Sequence, residues 1–86
     1  MIKNYSDSLF EEMKLLAKFP EKSQLEGIKI HHDANPSIIS AALSLYEKGL
    51  ISQPDGGYLT DSGLETADHL HHVLVTLSES GQWIIH

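Results

Sequence analysis

The fold is decided by residues 45–63, LYEKGLISQPDGGYLTDSG, in which a helix end, a tight turn and a helix start follow one another. Gly49 supplies the left-handed residue that closes the first of these helices. Residues 50–52 and 58–60 each read as a short strand, and they flank QPDGG at 53–57. Pro, Asp and Gly stand where a type I turn with a glycine bulge needs them, so the sequence predicts a β-hairpin.

The helix before this hairpin has a well-marked start. Asn35 can cap the free amides, and Pro36 at the first helical position gives up an N–H that would have no partner there. The helix is predicted to run to Lys48. Its apolar positions, which we expect to face the core, are Ile38, Ile39, Ala42, Leu43, Leu45 and Tyr46.

A last helix of about 18 residues, roughly 27 Å long, is predicted after the hairpin. Thr60 or Ser62 caps its start, and Ser62 and Glu65 have the spacing of a capping box. Gly81 is predicted to end it, which leaves an apolar tail at residues 83–85. The positions predicted to form its inner face are Leu64, Ala67, Leu70, His71, Leu74 and Leu77.

The N-terminal part predicts one more helix and one ambiguous segment. Ser8 and Glu11 have capping-box spacing at the start of an apolar stripe of helical period, and we expect this helix to end near Phe19 and Pro20. Residues 25–31 fit both a short helical turn and a brief alternating strand, so both readings stay open.

Length and composition indicate one small globular domain. A chain of 86 residues can fill only a single hydrophobic core, so residues 1–86 are taken as one domain. Hydrophobic residues make up 41% and charged residues 21%, which is ordinary globular usage. No apolar run approaches the roughly 18 residues of a membrane span and no signal-peptide pattern is visible, so we expect a cytoplasmic protein. The absence of cysteine excludes disulfides, thiolate metal sites and thiol nucleophiles.

The charge pattern disfavours anionic partners. Twelve acidic residues stand against six basic ones, a net charge of -6, and every basic residue is a lysine. Residues 49–86 contain no lysine or arginine at all. Such a chain repels nucleic acid and anionic membrane surfaces unless its lysines cluster on one face.

The stretch at 45–63 resembles the winged-helix superfamily. In bacterial regulators of that superfamily, a helix ending in a leucine, a charged pair and Gly-Leu-Ile leads into a hairpin wing, and Leu-Thr-x-x-Gly opens the next helix. The matching residues here are 45–51 and 57–63, and the resemblance extends over residues 35–70. It implies a mainly α fold with a small β-hairpin, winged helix-turn-helix-like, with a long C-terminal helix. A generic helix-hairpin-helix unit is the alternative.

A narrower resemblance covers residues 27–31 through 55–60, which are similar to a small family of uncharacterised bacterial proteins of about this length. That resemblance implies no known activity. Because a fold does not determine a function, function has to be argued from surface residues.

The resemblance implies one DNA-binding surface. In DNA-binding winged helices the helix before the wing enters the major groove, and three serines, one alanine and a terminal lysine would then face the bases. This is a poor set of base readers, and Asp55 at the wing tip opposes phosphate. The residues that could contact nucleic acid are Lys29, His31, His32, Ser37, Ser40, Ser44 and Lys48.

Catalytic and metal chemistry have little support. His31, His32 and Asp33 adjoin, and Asp68, His69, His71 and His72 fall on one helix, but no familiar zinc spacing links them. A solvated helix face with His71 partly buried accounts for these residues. No nucleophile elbow, phosphate loop or carboxylate pair is present. We therefore expect no enzyme activity, no metal and no cofactor.

The last helix and its tail carry more apolar residues than one inner stripe needs. Contiguous exposed apolar surface usually marks a contact site, and winged-helix regulators often dimerise through terminal helices. The interaction surface is predicted at Val73, Val75, Trp83, Ile84 and Ile85. A tail folded back over the first helix is the alternative.

Two functional hypotheses follow from the sequence. The first is a binding or regulatory module that contacts a protein partner or a second copy of itself, as a homodimer. The second is a small DNA-binding regulator that acts as a dimer on a specific site. The charge pattern favours the first.

Overall fold

The computed structural model describes residues 7–20 and 23–85, with side chains at 8–20 and 23–78. The helices are α1 (Asp7–Lys18), α2 (Pro36–Glu47) and α3 (Asp61–Ile85), and the strands are β1 (Ile28–Lys29), β2 (Ile51–Gln53) and β3 (Gly56–Leu59). This mostly helical fold, with a small antiparallel sheet and a long C-terminal helix, confirms the predicted fold class. It is compatible with a winged-helix-like arrangement.

Helix α1 buries Leu15 and Leu16, and Phe19 just beyond its end is buried with them. Ser8 is itself a helical residue and follows the helical Asp7, so the prediction that Ser8 caps the helix is wrong. The chain leaves the helix before Pro20, as predicted, because the residue preceding a proline disfavours the helical conformation.

Both ends of α2 follow the sequence signals. The Asn35 side chain accepts a hydrogen bond from the Ser37 amide at 2.9 Å, and Pro36 is the first helical residue. At the other end the Leu50 amide donates to the Leu45 carbonyl at 3.0 Å, and Gly49 has a φ of 79°. This is a Schellman motif, which sends the chain directly into β2.

The hairpin is tighter than predicted and belongs to a three-stranded sheet of order β1-β3-β2. Its turn is Pro54 and Asp55, while Gly56 and Gly57, predicted as turn residues, form the start of β3. Gly56 pairs with Gln53 of β2 across the hairpin, and β1 pairs with both glycines, Ile28 opposite Gly57 and Lys29 opposite Gly56. Of the two readings of residues 25–31, the strand is therefore the one observed.

Glycine is required at this pairing. Gly56 has a φ of 121° and Gly57 a φ of 76°, a conformation that other L-residues rarely adopt. A Cβ at Gly56 would also clash with the Ile28 carbonyl oxygen. The two glycines thus let β1 lie against the hairpin.

The core lies where the facing sides of α1 and α2 meet the hairpin and the start of α3. Its buried residues are Leu15, Leu16, Phe19, Ala41, Ala42, Leu45, Ile51, Leu59 and Ala67. Ile39, Leu43 and Tyr46, predicted to face the core, are instead 38%, 45% and 41% exposed. They lie on a flank of α2 that neither α1 nor the hairpin covers. The buried side of α2 is therefore narrower than the set of apolar residues on the helix.

Helix α3 is longer than predicted. The Thr60 hydroxyl oxygen accepts from the Gly63 amide at 3.0 Å, so Thr60, not Ser62, caps the helix. The helix has 25 residues and passes through Gly81, which the sequence predicts as its end. Glycine costs a helix only about 1 kcal/mol and, unlike proline, removes no hydrogen bond. No helix within the described residues is long and apolar enough to cross a membrane.

The second half of α3 extends past the body of the domain. Leu74 is 39% and Leu77 64% exposed, and His71 is exposed as well, although all three were predicted to face inward. The physical reason is length, because the described part of α1, residues 7–18, is about half as long as α3 and does not cover its second half. The molecule is accordingly elongated, 43 × 29 × 29 Å.

Candidate functional site

The serine side of α2 faces acidic residues. Ser37, Ser40 and Ser44 line a groove of about 640 Å³ with Glu11 and Glu12 of α1. The Lys48 ammonium donates to Glu12 Oε1 at 2.6 Å. The predicted base-reading surface is thus bordered by carboxylates, and its one lysine is paired with a carboxylate.

The other predicted nucleic-acid contacts lie on the opposite flank of α2. Lys29, His31 and His32 border a second groove, between α2, β1 and the hairpin turn, of about 400 Å³. We call it the wing groove, and its lining residues are Lys29, Ile30, His31, His32, Ile39, Leu43, Pro54 and Asp55. The residues predicted as one DNA surface therefore divide between two grooves.

Lys29 and Asp55 form an ion pair at the rim of the wing groove. The hydrogen bond from the Lys29 ammonium holds the pKa of Asp55 below its ordinary value, although desolvation acts in the opposite direction. Attraction between the two charges acts in the same direction as the hydrogen bond. The acidic wing tip is thereby neutralised within the domain.

A third groove, of about 610 Å³, lies between α1 and α3 and is almost entirely apolar. Phe10, Met13 and Ala17 of α1 line it together with Leu74 of α3, and Lys14 and Lys18 stand at its edge. Leu77 continues the line of Leu74 one turn further along α3, by helical spacing. We call Phe10, Met13, Ala17, Leu74 and Leu77 the α1–α3 apolar surface.

The predicted interaction residues differ in their relation to this surface. Val73 is 47% exposed. Leu70, three residues before it, and Leu77, four residues after it, are its neighbours on the helix surface. Val75 is 40% exposed and does not line the groove, and its direction is about 100° from that of Leu74. The side chains of Trp83, Ile84 and Ile85 lie outside the described residues.

Sequence reasoning missed Leu74 and Leu77 as surface residues, and Ile39 and Leu43 as groove residues. Helical periodicity identifies the apolar side of a helix but not whether another element covers it. The lengths of the helices gave one signal that part of α3 would be uncovered, since the apolar stripe of α3 is longer than the predicted first helix.

The histidines of α3 do not converge with other ligands. His69, His71 and His72 are exposed, and the described part of the chain holds no group of three histidine, aspartate or glutamate residues that could bind a metal ion. The expectation that no metal binds stays a prediction.

Comparison with known proteins gives a family without an activity. The family model described as "Family of unknown function (DUF5669)" matches residues 3–78. No curated protein and no solved structure matches the chain.

Proposed function

The chain belongs to this family of unknown function, and we propose that it is a non-enzymatic, winged-helix-like module that binds a second copy of itself through the α1–α3 apolar surface. The observation that carries the proposal is the exposure of Phe10, Leu74 and Leu77, at 49%, 39% and 64%. A soluble domain that leaves neighbouring large apolar side chains in water gains free energy by covering them, at about 25 cal/mol per Å².

Two features support a second copy as the partner. The surface combines a groove between α1 and α3, which Leu74 lines, with the exposed Leu77 one turn further along α3, so one copy can place its Leu77 in the groove of another. A two-fold axis makes such a contact reciprocal and doubles the buried area. The groove edge carries Lys14 and Lys18, whereas the described side chains of α3 include no lysine or arginine, so the two helices do not repel each other.

A non-enzymatic role is favoured by the interior. No polar or charged side chain is buried among the described residues. Many active sites hold such groups, because burial is one of the ways in which the pKa of a catalytic group is shifted.

Substitutions at two similarly exposed positions of α3 distinguish disruption of this interface from a general effect of added negative charge. Leu74→Glu places a carboxylate in the groove of the α1–α3 apolar surface, whereas Val75→Glu places one at a similarly exposed position that does not line the groove. In sedimentation equilibrium the unmodified chain and Val75→Glu should form dimers, and Leu74→Glu should be monomeric. A wild-type chain that stays monomeric at about 0.5 mM, a concentration at which even weak self-association is populated, contradicts the proposal. So does dissociation by both variants alike.

The second candidate is a DNA-binding regulator that acts as a dimer on a specific site. The observation in its favour is that Lys29, His31 and His32 lie together beside one flank of α2. Against it stand the carboxylate partners of Lys29 and Lys48. This candidate predicts that the protein binds some DNA sequences more tightly than others. Binding measured on duplexes selected from a random pool tests it.

A further inference from the structure

We propose that the wing groove binds a small amphipathic carboxylate, a molecule with one or two rings and a single acid group. The groove shares none of its lining residues with the α1–α3 apolar surface. The inference is therefore independent of self-association.

The walls of the groove provide an apolar seat. Ile30 rises from the end of β1, Ile39 and Leu43 project from one flank of α2, and Pro54 closes the side of the hairpin turn. Ile39 and Leu43 remain 38% and 45% exposed, since no described residue covers them. A volume of about 400 Å³ is within the range of small-molecule sites, which are mostly apolar with a few placed polar groups.

The polar side chains at the rim offer more hydrogen-bond donors than acceptors. Lys29 has three N–H donors and directs one to Asp55. The imidazoles of His31 and His32 each offer at least one N–H in either protonation state. Asp55 is the only lining side chain that is purely an acceptor, and Lys29 already engages it. A ligand that complements this rim must bring acceptors, and a carboxylate brings the strongest ones.

The positions of the two kinds of group fix the ligand's orientation. Donors lie on β1 and the loop that follows it, while the apolar side chains of Ile39 and Leu43 lie across the groove on α2. The ring system should therefore rest on α2 and Pro54, with the acid group toward His31 and His32. An uncharged ligand of the same shape would keep the apolar contacts and lose the charge-assisted hydrogen bonds.

The probes are indole-3-acetate and its uncharged analogue indole-3-acetamide, titrated into the full chain and followed by amide resonances. The acid should give saturable shifts at residues 29–32, 39–43 and 54–55, with a dissociation constant on the order of 1 mM, as expected for an open site and a small ligand. The acetamide should bind about fivefold more weakly, because a neutral hydrogen bond replaces an ionic one.

Substitutions assign the contacts. The double variant His31→Leu, His32→Leu removes the side-chain N–H donors of this loop and should weaken the acid about fivefold and the acetamide by less, whereas Leu43→Gln should weaken both probes alike. Leu25→Gln is the matched control, since Leu25 is 88% exposed and outside the groove. The same spectra show whether each variant is folded. The proposal is overturned if no saturable shift occurs by about 20 mM acid, if both probes bind equally, or if the shifts map to α1.

Discussion

Lys48, at the end of α2, is joined to Glu12 of α1 by a 2.6 Å hydrogen bond between charged groups. The two residues are 36 positions apart, and the Glu12 side chain is only 12% exposed while that of Lys48 is 53% exposed. The pair links the C-terminal end of α2 to the middle of α1, and it removes a cation from the side of α2 on which DNA recognition would depend. As a partly exposed ion pair it contributes at most about 1 kcal/mol to stability.

This pairing bears on DNA affinity. Non-specific binding comes from lysines and arginines that displace counterions, with a salt slope of about -0.9 for each phosphate neutralised. Lys29 and Lys48 both have carboxylate partners. We therefore expect no measurable binding to random duplex DNA at about 150 mM salt in a fluorescence anisotropy titration. Saturation at low micromolar protein, weakening steeply with salt, would make DNA regulation the leading function, and loss of that binding in Lys48→Gln would place the contact on α2.

The join of α2 and the hairpin should be a large source of stability. Leu45 is 2% exposed, and its carbonyl accepts the hydrogen bond that ends the helix. Leu45→Ala should lower the free energy of unfolding by about 2–5 kcal/mol, through lost burial and a cavity. Leu25→Ala, at an exposed leucine, should change it by less than about 0.5 kcal/mol. Equal effects of the two variants in urea titrations would show that the buried face of α2 is misassigned.

Close packing of α3 against the hairpin should make Gly63 difficult to replace. A Cβ there would clash with the Leu50 carbonyl oxygen and lie 3.2 Å from Leu59 Cδ2. Alanine favours a helix over glycine by about 1 kcal/mol, yet the clash is with backbone that has little room to shift. Gly63→Ala should therefore destabilise the domain by about 1–3 kcal/mol in thermal or urea unfolding. Ser62→Ala, at an exposed neighbouring position, is the control, and a Gly63→Ala protein that is more stable than wild type would show that α3 can move away.

The ion pair at the wing tip gives a pH effect of defined sign. Since Lys29 lowers the pKa of Asp55 in the folded chain, the pair stabilises the fold above the ordinary carboxyl pKa. That stabilisation is lost as the pH falls through the lowered value. The Asp55 carboxyl resonance should titrate below 3.8, return toward 3.8 in Lys29→Gln and stay low in Lys14→Gln. The stability difference between wild type and Lys29→Gln should also disappear at low pH, and a difference that persists there would mean that Lys29 acts through other contacts.

The sequence by itself determined the elements whose signals are local. Asn35 and Pro36 start α2, and Gly49 ends it, because caps depend on a few adjacent backbone groups. Residues 53–57 predict the hairpin for the same reason, but they do not predict that its turn is only Pro54 and Asp55. A strand of two residues such as β1 has too little local preference to be identified, and it exists because Gly56 and Gly57 allow it to pair.

Only the tertiary structure decided which apolar and charged residues face solvent. Helical periodicity places Leu74, Leu77, Ile39 and Leu43 on apolar sides of their helices, but exposure depends on the length and position of the neighbouring element. The cations at 29 and 48 read as a DNA-binding set in sequence, and their partners lie 26 and 36 positions away. Contacts over such separations are fixed when the whole chain packs, which is why the candidate surfaces emerged from the fold.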